Sequence, residues 1–240
     1  MKDKILGIAG KPPVWVILAC LIIAIFVAAG AQKLVFKSDY RIFFDENNPQ
    51  LVAYESMQKI YNRSDNVAFI VVPKDNTVFT AEHLAALEAL TTQSWQVPYS
   101  TRVDSLTNFQ HTYATEDDMI VEDLVADASA LSPGELAAIK SIAINEPLLV
   151  DKIVSKQGHV SVVSVDVKLP GLDPASETPE VAASVRAIRD RFLAENPGSK
   201  VYLSGMVMLN NAFSEAAMND GATLVPLMFL TVIVIIGLLL

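Results

Sequence analysis

Three histidines, His83, His111 and His159, are the side chains best suited to hold a metal or move a proton near neutral pH. They lie far apart, with no cysteine or paired carboxylate at ligand spacing beside them. They read as core or solvated histidines. The acidic stretch Glu116, Asp117, Asp118, Glu122, Asp123 and Asp127 lacks the Asp-x-Asp-x-Asp-Gly order of a calcium loop. It reads as the wet face of a helix. No glycine-rich phosphate loop and no Gly-x-Ser-x-Gly elbow is present. The sequence therefore offers no catalytic residue, no metal site and no cofactor site, and it does not read as an enzyme. What remains is apolar: Met206, Met208, Leu209 and Phe213 cluster near the end of the chain. Adaptable methionines suit varied apolar ligands, with core packing as the alternative.

The elements that position these residues follow from where the apolar residues fall. Val14 to Ala31 carries no charge and is long enough to cross a hydrocarbon core of about 30 Å as a helix. Lys2, Lys4 and Lys11 precede it and place the amino terminus, residues 1–13, in the cytoplasm. Pro12 and Pro13 suit a helix start, and Trp15 suits the membrane interface. A cleaved secretory signal is the alternative, because Ala29-Gly30-Ala31 has the small-x-small look of a cleavage site. Ala222 to Leu240 is a second uncharged run of spanning length. Asp220 or Asn219 would cap its first turn, and Pro226 would sit in that turn. The sequence stops inside this run, which reads as truncation of a longer polytopic protein.

Between the two runs, residues 32–221 read as an exported domain. The chain has a net charge of −9, from 18 basic and 27 acidic residues. Setting aside Lys2, Asp3, Lys4 and Lys11 leaves 15 basic and 26 acidic. Such a surface argues against nucleic acid and against a basic lipid-binding patch. The single cysteine, Cys20, lies in the first apolar run, so a hydrophobic core and not disulfides must hold the domain.

Spacing predicts an amphipathic helix over 49–62, a buried strand over Val67–Val72, a helix from Thr80 to Trp95 and a strand at Arg102–Leu106. Residues 112–153 predict two or three helices, with a capping box at Ser132 and Glu135. Val160 to Leu169 alternates as a half-buried strand. A helix over 178–195 and a strand at Lys200–Ser204 follow, then a helix from Met206 to Asn219 feeding the second apolar run. Two β-α-β units in tandem give an α+β fold of ferredoxin-like pattern, with 112–153 as a helical insertion and a transmembrane helix on each flank.

Several stretches resemble RND-superfamily exporters with MMPL-type membrane domains. They are Asp39-Tyr-Arg-Ile-Phe-Phe44, Val78-Phe-Thr80, Val103-Asp-Ser-Leu-Thr-Asn108 and Ile153-Val-Ser155. Leu203-Ser-Gly205, Leu209-Asn-Asn-Ala-Phe213, and Asp220 with Leu224-Val-Pro226 complete the series. The resemblance implies the first half of a multi-pass transporter in a bacterial inner membrane, with residues 32–221 as its first periplasmic porter domain. It implies a hydrophobic, amphiphilic or lipid-like substrate and efflux driven by protons, through carboxylates in membrane helices beyond residue 240. The implied partners are those further helices, a second porter domain and the bilayer, with oligomers allowed. The resemblance raises Asp39 and Arg41 near the membrane surface, and Asp220 and Pro226 where domain becomes span, as candidates for coupling the domain to the membrane. An ordinary surface pair and a helix cap are the alternatives. The rival functions are a membrane-tethered domain that binds a protein or senses envelope state, and a secreted binding protein cleaved after Ala31.

Overall fold

A computed structural model describes residues 13–29, 44–45, 47–61, 65–115 and 118–239. Helix α1, Pro13–Ala29, is an uncharged helix of 17 residues and falls in a unit of its own. Every later element belongs to a second unit. Asp39 and Arg41 lie outside the described residues.

The second unit begins with α2, Pro49–Tyr61. Asn48 opens it, its side-chain oxygen accepting from the Gln50 amide at 2.9 Å. Strand β1, Asp65–Val72, follows, with every second residue buried. Helix α3, Ala81–Ser94, is capped by Thr80, whose hydroxyl accepts from the His83 amide. It presents Leu84, Leu87 and Leu90 on one face, the period expected of a helix packed on a sheet. Strand β2, Ser100–Asp104, completes the first β-α-β unit.

The insertion differs from expectation. It holds a two-stranded antiparallel hairpin, β3, Gln110–Ala114, and β4, Met119–Asp123. A short 3-10 turn at Ala128–Ala130 and one α-helix, α4, Pro133–Asn145, come next. Of the acidic run, Glu122 and Asp123 lie on β4 and Asp127 caps the 3-10 turn, so no helix carries them. The helical reading of this segment was misled because most of the hairpin is exposed on both faces. No alternation of apolar and polar residues marks it as strand. The Ser132–Glu135 capping box is present as read.

Strand β5, Ser161–Val167, alternates as its sequence predicts. Helix α5, Pro174–Glu195, starts one turn earlier than expected and contains Pro179. The early start has a cause: the Glu177 carboxylate accepts from the amides of Gly171, Leu172 and Asp173 at 2.9–3.0 Å. Those N–H groups hold its pKa below the ordinary glutamate value. Strand β6, Lys200–Ser204, closes the sheet.

The four long-range strands lie in the order β2-β5-β1-β6, every neighbouring pair antiparallel. Phe69 pairs with Val163 on one side and Leu203 on the other, and Val67 pairs with Val165. These residues form the inward face. With Leu84, Leu87 and Leu90 of α3 and Val181, Val185 and Ile188 of α5 they make the core. Full burial of each such side chain is worth about 1.5–3 kcal/mol, so this face carries most of the domain's stability.

Helix α6, Met206–Leu239, is a single helix of 34 residues. Among the described residues it is the one helix long and apolar enough to cross a membrane by length and composition. At 1.5 Å per residue it is about 51 Å long, while the hydrocarbon core takes about 20 residues. Its first turns therefore lie outside any bilayer its last 20 residues cross. Two expectations are corrected here. Asn219 and Asp220 do not cap a helix start, and Pro226 does not lie in a first turn, because the helix already began at Met206. All three sit in its interior.

Candidate functional site

One face of the sheet is sealed by α3 and α5. The other carries Asn66, Ala68, Val162 and Ser164, all only half-buried. Small side chains there leave a hollow, and it is floored by these four residues. Leu148, Leu149, Lys152 and Ile153 form one wall, and Ser105 and Phe109 another. Arg102 and Asp104 stand at the rim. The cleft, open to solvent on one side, has a volume of about 480 Å³, within the range of roughly 300–1,000 Å³ usual for small-molecule sites.

Local chemistry fixes both walls. The Ser105–Asn108 turn is tied by Asn108, whose Oδ1 accepts from the Ser105 amide at 2.8 Å and whose Nδ2 donates to the Val103 carbonyl at 2.7 Å. That turn ends β2 and delivers Phe109 to the cleft. In the opposite wall Leu149 and Val154 are buried anchors, at 1% and 2% exposure. The Ile153 and Val154 amides both donate to the Leu149 carbonyl, and the Val162 amide donates to Ile153. Asp151 adopts a left-handed conformation, with φ of 61°. Leu148 is left 62% exposed at the rim, and Lys152 is exposed beside it.

The floor connects directly to α6. Asn66 Oδ1 accepts a hydrogen bond from the Met206 amide at 3.1 Å, satisfying an N–H at the helix start. Gly205, between β6 and α6, has φ of 107°, and a Cβ there would lie 2.9 Å from the Val67 Cα and closer still to the Asn66 carbonyl oxygen. Glycine is thus required for the chain to turn from sheet into helix at this spot. Further along, Arg186 of α5 grips Glu215 of α6 through both terminal nitrogens at 2.6 and 2.9 Å. Asn211, 1% exposed, donates to the same carboxylate at 2.9 Å. Arg186 first, then Asn211, hold the Glu215 pKa down at about 2.

The four apolar candidates divide between two environments. Leu209 and Phe213, one turn apart, are exposed at 52% and 53%. Met206 and Met208 are half-buried, and Met208 packs on the core. The inward face of this turn belongs to Val207, Asn210 and Asn211 instead. Asp220 and Pro226 are on the exposed length of α6. Sequence reasoning did not find Asn66, Arg186 or Glu215. The one available signal was an i, i+4 pair, Asn211 and Glu215.

The histidines do not meet. His83 is buried and hydrogen-bonds Ser161 Oγ through Nε2 at 3.2 Å. His111 stacks on Tyr113, and His159 Nδ1 lies 3.2 Å from Ser155 Oγ. Among the described residues no group of three or more His, Cys, Asp or Glu could hold a metal. The cleft joins an apolar wall to charged rim groups, an arrangement suited to binding and orienting a ligand.

Comparison with known families and proteins bears on what this domain serves. A family model described as the MMPL family matches residues 43–240, nearly the whole domain and all of α6. No curated protein matches the chain. With a match over most of its length, the chain belongs to the MMPL family, a family of RND-type membrane transporters.

Proposed function

We propose that this chain supplies the first membrane helix and first exported porter domain of an exporter for hydrophobic, amphiphilic or lipid-like compounds. The porter domain is ferredoxin-like, a reading supported by the antiparallel order β2-β5-β1-β6 and by two β-α-β units. The amino terminus lies in the cytoplasm of a bacterial cell, and the domain lies outside the inner membrane. The open-face cleft receives substrate. Leu209 and Phe213, exposed on α6, would offer further apolar surface to such a substrate. Protons energise the cycle through carboxylates on membrane helices beyond residue 240, joined by a second porter domain.

The observation that carries this reading is the unbroken run of α6 from the cleft floor into its apolar span. A helix transmits rotation and tilt along its axis. Asp220 and Pro226, within that run, are where such a motion passes from bilayer to domain. The test is transport by the full-length protein in proteoliposomes, using a fluorescent amphiphile and an imposed proton gradient. Efflux that follows the gradient, and stops when four glycines and serines are inserted between Met218 and Asn219, supports the proposal. Gradient-independent behaviour, or transport indifferent to the insertion, overturns it.

A further inference from the structure

The substrate reading of the cleft rests on the proposal above; its charge pattern goes further and selects among amphiphiles. Three hollows formed by described residues differ in the sign of their linings. The hollow between the β3–β4 hairpin and α4, about 430 Å³, has Glu122, Asp123, Asp127 and Glu135 and no Lys or Arg. The small one beside His83, about 180 Å³, sets Lys74 against Asp75, Glu82 and Glu195. Only the open-face cleft, of these three, has more cations than anions: Arg102 and Lys152 against Asp104. This occurs on a domain whose charge is strongly negative.

Arg102 faces two carboxylates, so the unpaired positive charge of the cleft is that of Lys152. Asp104 is engaged by Arg102 Nε at 2.8 Å. Asp166, opposite Arg102 in the β2–β5 register, adds a second negative neighbour to that guanidinium. The Arg102 Nε is engaged by Asp104, and its two terminal amino groups carry no hydrogen bond among the described residues. Lys152 has no ion pair among the described residues. It projects from the anchored Leu149–Val154 turn beside the apolar groups Leu148, Leu149 and Ile153. A cation at the mouth over an apolar wall fits a molecule that is anionic at one end and aliphatic along its length. The volume of about 480 Å³ accommodates one chain and a small headgroup.

We propose that the open-face cleft is a selective site for single-chain anionic amphiphiles, with Lys152 and the free terminal nitrogens of Arg102 binding the headgroup and Phe109, Leu148 and Ile153 burying the chain.

Photolabelling tests this on the full chain in nanodiscs of neutral lipid. Three diazirine probes of equal chain length are used: a fatty carboxylate, an alkyl trimethylammonium and an alkyl glucoside. Labelled peptides are mapped by mass spectrometry, with unlabelled tetradecanoate as competitor. The expected result is labelling of residues 102–109 and 148–153 by the carboxylate, at about fivefold or more over the other probes. Lys152→Glu should reverse the preference, and Lys152→Met should weaken it to the part that Arg102 supplies. Thermal unfolding of both variants should match that of the parent, since Lys152 is exposed. Equal labelling by all three probes, unaffected at Lys152, overturns the charge selectivity and leaves the cleft as a substrate site. Absence of labelling by any probe in these two segments overturns the cleft reading itself.

Discussion

Asn66 binds the first amide of the long helix: its Oδ1 accepts from Met206 N at 3.1 Å while the same residue floors the cleft. A ligand in the cleft and a tilt of α6 therefore act on one side chain. Asn66→Ala should cost about 1 kcal/mol, the usual loss for a helix cap. Asn66→Asp keeps an acceptor and should unfold at nearly the parent temperature. If the contact also transmits motion, efflux by the full-length protein should fall several-fold in Asn66→Ala and not in Asn66→Asp. Equal efflux in all three would leave Asn66 as a cap alone.

Gly205→Ala should be far more damaging. The added carbon would press into the β1 backbone at a φ that L residues rarely adopt. Backbone cannot swing aside as a flexible side chain does, so the loss should reach at least about 2 kcal/mol. Chemical denaturation would show it. A cost below about 0.5 kcal/mol would mean that α6 does not start against β1 as described.

The Arg186–Glu215 pair makes a contrasting prediction. Its side chains are 39% and 51% exposed, so its contribution to global stability should stay within about 1 kcal/mol. Its effect should appear in coupling between α5 and α6. Glu215→Arg should weaken efflux, and adding Arg186→Glu should restore it. Failure of the double variant to recover would show that the pair's geometry, with Asn211 as third partner, cannot be inverted. Glu215 also gives a pH signature. Its pKa, lowered from 4.5 to about 2, stabilises the fold above 4.5, and that contribution is lost as pH falls toward 2.

His83 provides a second, separate pH dependence. Burial pushes its pKa from 6.5 down to about 4. Below 6.5 the unfolded chain takes up a proton that the native imidazole refuses, so stability falls from pH 6.5 to 4 and levels off beneath. The full loss is on the order of 3 kcal/mol. His83→Gln, which can still reach Ser161, should flatten that window in a series of thermal melts. An unchanged slope between pH 6.5 and 4 would assign it to other groups.

The core strands and helices were legible because each obeys its own period: β1 and β5 alternate, and α3 shows Leu84, Leu87 and Leu90 on one side. Several of the short motifs that carried the family resemblance prove to be turns and caps. Val78-Phe-Thr80 caps α3, Val103–Asn108 is the Asn108-tied turn, and Leu203-Ser-Gly205 is the tight entry to α6. The cleft was not legible. Its lining comes from four separate segments, near residues 66, 105, 150 and 163. Lys152 alone looks like any surface lysine, and Ala68 like any small strand residue. Arg186 and Glu215 are 29 residues apart on different helices, a pairing that no local period encodes. Asn219 and Asp220 misled for the opposite reason: they are good capping residues placed where the helix does not begin.

Pro226 has no amide to give to the Ala222 carbonyl one turn back, so the backbone ladder of α6 lacks a rung there. It stands 20 residues from Met206 in the sequence, a distance of about 30 Å along the axis. Taken as a fulcrum, a bend of about 10° at Pro226 would swing the Met206 end by roughly 5 Å. That arc exceeds the reach of any one hydrogen bond in the domain. A bend of a few degrees at Pro226 would correspond to roughly 2 Å at the Met206 end, the end that Asn66 holds.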